Sequence, residues 1–178
     1  MLRFNSDHKF KIMQIADTQE IPAVSPDTLS LINNALDREK PDLVIFTGDQ
    51  IKGYSKKFKK DPAIIESTID ILVEPIAKRN IPFMVTYGNH DAQCGVDNRG
   101  QYKFYAKYDN FISGDLRNSD DVGTADIQIY SSTEDKPVFE LYIIDSHGKA
   151  KDGAGYAPVD KKQIEWYVSV SYTHLTLP

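Results

Sequence analysis

The sequence predicts an α/β fold built from consecutive βαβ units, and three observations carry that expectation. Apolar runs of strand length occur at Ile12–Ala16, Leu43–Thr47 and Ile81–Val85, with stretches of helical periodicity between them. Each run follows the last by roughly thirty to forty residues, the span of one βαβ unit. Each also gives way to side chains able to bind a cation or move a proton: Asp17, Asp49, and the trio Asn89, His90 and Asp91. In an open α/β sheet, ligands collect beyond the carboxyl ends of the strands.

Taken in order, Lys9–Ala16 is the first strand, closed by the loop Asp17–Pro22, where Pro22 ends any regular element. Ser25-Pro26-Asp27 supplies a cap, a proline at the first helical position and an acid in the first turn. Leu31, Ile32, Ala35 and Leu36 then share a helical face up to about Lys40. Leu43–Thr47 is continuously apolar, as a strand covered on both faces requires. The loop Gln50–Lys60 carries Lys52, Lys56, Lys57, Lys59 and Lys60 and reads as solvated.

Asp61-Pro62 repeats the cap-plus-proline start, and Ile65, Ile69, Leu72 and Ile76 follow at helical spacing to Asn80, with Pro75 predicting a kink or break. Strand three runs from Ile81 to Tyr87, and the right-handed crossover rule makes the three strands parallel. Tyr102, Phe104, Tyr105, Tyr108 and Phe111 lie in a short helical stretch and read as core. Ala125–Tyr130 and Val138–Ile144 are β-rich runs across a polar turn, antiparallel neighbours that suggest a second sheet joining the first. Asp160 starts a last helix in which Ile164, Tyr167 and Val168 share a face beside Trp166.

The chain of 178 residues is long enough for one domain with a substantial core, and its composition is that of a soluble globular protein. A net charge of −5 argues against a nucleic-acid grip by bulk electrostatics, so substrate phosphates would meet metal ions or local cations. No stretch is long and apolar enough to span a bilayer, and no signal peptide opens the sequence, which favours the cytoplasm. Cys94 stands alone and reads as an inert loop cysteine.

Asp17, Asp49, Asn89 and His90 are residue types that hold divalent ions, and a shared carboxylate such as Asp49 can bridge two metals about 3.5 to 4 Å apart. Asp17-Thr18-Gln19, Gly48-Asp49 and Gly88-Asn89-His90-Asp91, in this order at three strand ends, resemble the calcineurin-like metallophosphoesterase superfamily. Leu141–Ser146, Gly155-Tyr156 and Gln163–Trp166 resemble its purple-acid-phosphatase-like branch. The resemblance implies a four-layer αββα sandwich, incomplete at the C-terminus, and a binuclear phosphoesterase that hydrolyses phosphate monoesters or diesters by metal-hydroxide attack.

By matching position, it implies that Asp17 holds the first metal, Asp49 bridges, Asn89 holds the second, His90 stabilises or protonates the leaving oxygen, and Asp91 orients His90. Gln19 stands where the family has His, and its neutral amide binds weakly, through water, or not at all. The cofactors implied are two divalent ions, manganese, iron or zinc; the implied partner is a small phosphorylated substrate or a phosphoprotein. Two later motifs, one giving a His and one a Gly-His-any-His, have no match, and His147 reads as a polar loop residue. The fragment alone is therefore expected to bind metal poorly and turn over little. A non-catalytic phosphate-binding or interaction module with the same fold is the alternative.

Val170–Pro178 back-translates as GTC TCT TAT ACA CAT CTG ACG CTG CCG, which resembles a transposase adapter used in sequencing libraries. The expected native domain portion is therefore residues 1–169, and residues 170–178, with His174, are set aside as a sequencing artefact.

Overall fold

A computed structural model describes residues 1–113, 121–150, 153 and 155–175, with the backbone alone for 172–175. The strands are β1 (Leu2–Arg3), β2 (Ile12–Ile15), β3 (Leu43–Thr47), β4 (Phe83–Thr86), β5 (Ala125–Tyr130) and β6 (Pro137–Ile143). The helices are α1 (Pro26–Glu39), α2 (Pro62–Ala77), α3 (Asn98–Ala106) and α4 (Lys161–Leu175). Strands β2, β3 and β4 form one parallel sheet, with Ile15 opposite Phe46 and Thr47 opposite Thr86. A second sheet has the order β1-β5-β6, in which β5 and β6 are antiparallel, as expected, and β1 runs parallel to β5. It stands as a separate sheet rather than extending the first.

Alternation along the strands assigns the layers. On one face of the parallel sheet, Val44, Phe46, Phe83 and Val85 pack with Ile32 and Leu36 of α1, with Ile65, Ile69, Leu72 and Ile76 of α2, and with Tyr105 of α3. On the other face, Leu43, Ile45 and Met84 meet Leu2, Ala125, Ile127, Ile129 and Ile143 of the second sheet. α4 covers the outer face of that second sheet, where Tyr142 meets Trp166 and Tyr167 at ring-centroid distances of 6.2 and 4.9 Å. The layer order is helix, sheet, sheet, helix, the αββα sandwich.

Local signals account for most boundaries. Ser25 accepts the Asp27 N–H at 3.2 Å and Pro26 opens α1, which stops at Lys40 in the left-handed region. Its inner face is narrower than the sequence suggests, because Leu31 is exposed. Asp61 caps α2 in the same manner, and Pro75, which has no N–H to donate, sits two residues before the end at Ala77. The aromatic stretch is core: Phe83 meets Phe111 at 5.3 Å, and Phe46 meets Tyr105 at 6.3 Å.

The expected face of α4 is corrected. Ile164, Tyr167 and Val168 are exposed, while Gln163, Trp166 and Val170 turn inward. Their spacing, three then four residues, is also helical. A polar Gln163 at the inward position hides this stripe from a reading that follows apolar side chains.

Candidate metal centre at the strand ends

Parallel pairing brings the carboxyl ends of β2, β3 and β4 to one edge, and the loops continue the pairing beyond the strands. The Asp17 N–H donates to the Gly48 carbonyl at 3.1 Å, Gln19 to Asp49 at 2.9 Å, and Glu20 to Gln50 at 3.1 Å. Asp17, Gln19 and Asp49 have φ of 53, 43 and 52°, the left-handed region, which costs a non-glycine residue roughly 1–2 kcal/mol. Three such residues at one edge mark a place where the surrounding bonds over-determine the backbone.

Two glycines let the β3 and β4 loops interlock. A Cβ on Gly48, whose φ is +102°, would lie 2.3 Å from the Gly88 nitrogen. A Cβ on Gly88 would lie 2.1 Å from Oδ1 of Asp49. In the space so opened, Asp49 is buried and its Oδ1 accepts the His90 N–H at 2.8 Å.

Asp91 differs from expectation. Its Oδ2 accepts the N–H groups of Asp49 at 2.7 Å and Gly88 at 2.8 Å, and its Oδ1 accepts Gln50 at 3.0 Å and Ile51 at 3.4 Å. The carboxyl therefore clamps the two loops together, while the His90 ring takes its partner from Gln93, Nδ1 to Oε1 at 3.1 Å. Burial pushes the Asp91 carboxyl up to about 6, against the pull of the backbone N–H donors. Gln50 and Gln101, both fully buried, brace the clamp: Gln50 donates to the Gly48 carbonyl at 2.8 Å, and Gln101 to the Asp91 carbonyl at 2.8 Å. Periodicity could not reveal these three, because their partners are backbone groups of the loops rather than side chains on a shared face.

Asp17 is exposed, and neither its carboxylate nor the Asn89 amide has a hydrogen-bond partner among the described residues. Gln19 Oε1 accepts the Tyr54 hydroxyl at 3.3 Å, and the Tyr54 ring meets His90 edge-on with centroids 4.7 Å apart. Oxygen donors without protein partners are of the kind that hold hard or borderline divalent ions, although Asp17, Asp49 and His90 do not gather their ligand atoms within 4.8 Å of one another.

The structure also assembles a group that the sequence does not announce. Asp121, Asp145 and His147 bring ligand-type atoms within 4.8 Å of one another, the one such set of three found among the described histidines, cysteines and acids. His147 is exposed on the loop after β6, as a polar loop residue, and its Nε2 lies 3.7 Å from Asp121 and 3.9 Å from Asp160. Asp145 is buried, and burial pushes its carboxyl up. Its oxygens accept the Asn98 side chain at 3.0 Å and the His147 N–H at 2.8 Å. Gln163 of α4 donates to Asp121 at 2.8 Å and to the Asp145 carbonyl. The next residue, Gly148, lies against Asn89, since a Cβ there would be 3.8 Å from the Asn89 Cα. Cys94 is buried at the end of the short 3-10 helix Asp91–Cys94 rather than in an irregular loop, with its thiol pushed up by burial.

A parallel sheet with oxygen-donor side chains at its carboxyl edge, backed by a second sheet and helices on both outer faces, is an αββα scaffold with its ligand-binding edge at the strand ends. The model of the calcineurin-like phosphoesterase family matches residues 10–175, and the chain belongs to that family. It is 28% identical over 199 residues to probable inactive purple acid phosphatase 14 of Arabidopsis thaliana, covering 96% of this chain and 48% of that protein. It is 32% identical over 201 residues to phosphatase DCR2 of Saccharomyces cerevisiae, covering 99% of this chain and 33% of that one. The chain thus spans half the length or less of these relatives. Among solved structures, a dimetal phosphatase from Danio rerio shares the fold, with a TM-score of 0.51 and 14% identity over 92% of this chain and 52% of that one. No helix among the described residues is long and apolar enough to cross a membrane.

Proposed function

We propose that the chain carries the first ligand corners of a binuclear metal-dependent phosphoesterase acting on phosphate monoesters or diesters. In this reading Asp17 and Asp49 would hold one divalent ion, and Asp49 and Asn89 would hold a second. Gln19, held by Tyr54, is a weak ligand at most, because an amide oxygen donates less strongly than imidazole. Manganese, iron or zinc would supply an activated water and neutralise charge on the phosphoryl oxygens. His90 gives a proton to the leaving oxygen, with its ring steered by Gln93 and Tyr54. Asp91 is a positioning residue, which holds both loops rather than the imidazole.

The observation that supports this most is the interlock itself. Asp49 and His90, from different strands, are joined by a 2.8 Å bond across two glycines that nothing larger could replace. The test is hydrolysis of a generic aryl phosphate with added manganese, by this chain and by the product of its full gene, beside an Asp49→Asn control. Equal activity in the control would defeat the reading. The second reading, a non-catalytic phosphate-binding module, draws support from Gln19 in the place of His and from the word inactive in the name of the Arabidopsis relative. Metal-dependent phosphate binding without turnover would establish it.

A further inference from the structure

The lysine-bearing loop after β3 holds one lysine unlike the rest. Lys52 is half-buried, and its Nζ lies 5.2 Å from the centroid of the Tyr54 ring. That ring is 51% exposed, stands edge-on to His90 at 4.7 Å, and sends its hydroxyl to Gln19. The backbone beneath is fixed. The Lys52 N–H donates to the Glu20 carbonyl at 2.8 Å, and the Lys52 carbonyl accepts Ser55 at 2.7 Å. Gly53 presses so closely on the His90 carbonyl that a Cβ would lie 1.9 Å from it. No carboxylate pairs with the Lys52 ammonium among the described residues, so its charge is uncommitted beside a phosphate-handling corner. Lys56, Lys57, Lys59 and Lys60 are exposed, on or just after the 3-10 turn Lys56–Phe58.

We propose that Lys52, held on the Tyr54 ring, is a specificity residue that binds a second phosphate of the substrate, on the leaving-group side marked by His90. The proposal rests on the phosphoesterase reading for the identity of that corner. The favoured substrates then carry two phosphates close together, as in a diphosphate ester, and a lone monophosphate leaves Lys52 unused. An aromatic face keeps an ammonium in place at little cost. A dianionic phosphate then meets a point charge already in position.

The experiment compares inorganic pyrophosphate with orthophosphate by calorimetry on the 178-residue chain with manganese present, for the wild type, Lys52→Met, Lys52→Arg and Lys57→Met. The wild type should prefer pyrophosphate. Lys52→Met should cut that preference about fivefold, Lys52→Arg should retain most of it, and Lys57→Met, with the same loss of net charge, should leave it intact. No pyrophosphate preference in the wild type, an unchanged preference in Lys52→Met, or an equal loss in Lys57→Met would overturn the proposal. Aryl phosphate hydrolysis is read separately. Its absence from the product of the full gene, beside a Lys52-dependent preference in this chain, sinks the hydrolase reading and keeps the subsite, and turnover with no such preference does the reverse.

Discussion

Replacing Gly88 by Ala tests whether the strand-end loops are interlocked as described. The added Cβ would lie 2.1 Å from Asp49 Oδ1 and 2.6 Å from the Asp49 nitrogen, where real Cβ contacts stay above 3.0 Å. The carboxylate must therefore retreat by about 0.9 Å or more. Its bond from the His90 N–H, now 2.8 Å, then passes beyond hydrogen-bonding range. Losing a bond to a charged acceptor costs roughly 1.5–3 kcal/mol. Forcing a methyl into a packed site adds about 1–3 kcal/mol. The expected loss is on the order of 3–5 kcal/mol, a large share of the 5–15 kcal/mol typical of a domain. Urea unfolding followed by far-ultraviolet circular dichroism reads it as a lower midpoint with an unchanged slope. A loss below about 1 kcal/mol would refute the interlock, because overlap with backbone atoms leaves no cheap relaxation.

Three further outcomes are expected. Asp91→Asn replaces one acceptor oxygen by an amide that faces N–H donors, so amide exchange at Asp49, Gln50 and Gly88 should speed at least about tenfold; unchanged protection would show that the clamp is not needed. Trp166→Ala should destabilise by about 3 kcal/mol and Ile164→Ala by well under 1, because only Trp166 is buried; the opposite ranking in thermal melts would restore the other face of α4. Burial and a hydrogen bond with Asp126 push Glu140 up to about 7 from an ordinary 4.5. The folded chain therefore holds a proton that the unfolded chain releases, and this stability is full below pH 4.5 and lost as pH rises through about 7. Glu140→Gln should flatten the fall in melting temperature between pH 5 and 8.

Much of the scaffold was legible because propensity, capping and burial agree in it. The strand Leu43–Thr47 and the helix opened by Ser25-Pro26 appear with the limits that their residues announce. The two-residue β1 was not legible, since Leu2 and Arg3 become a strand only by pairing with Ile129 and Tyr130, far along the chain. The first strand proved shorter than its apolar run because β2 is an edge, with Ile12 exposed. At the site, the residue types and their order pointed to the edge where Asp17, Asp49, Asn89 and His90 stand. Their wiring did not follow from order. Asp91 serves four backbone donors, and His147 joins Asp121 and Asp145, through contacts that no local pattern encodes.

The Asp91 clamp bears on how such a centre would fill. Small metal domains that are built by their ion fold only as it binds, and their affinity carries the cost of ordering the chain. Here the loops that present Asp49 and His90 are cross-braced by protein bonds alone, so an arriving ion would meet a socket rather than a tether. Its removal should lower the melting point only by mass action, without unfolding the β3 and β4 loops.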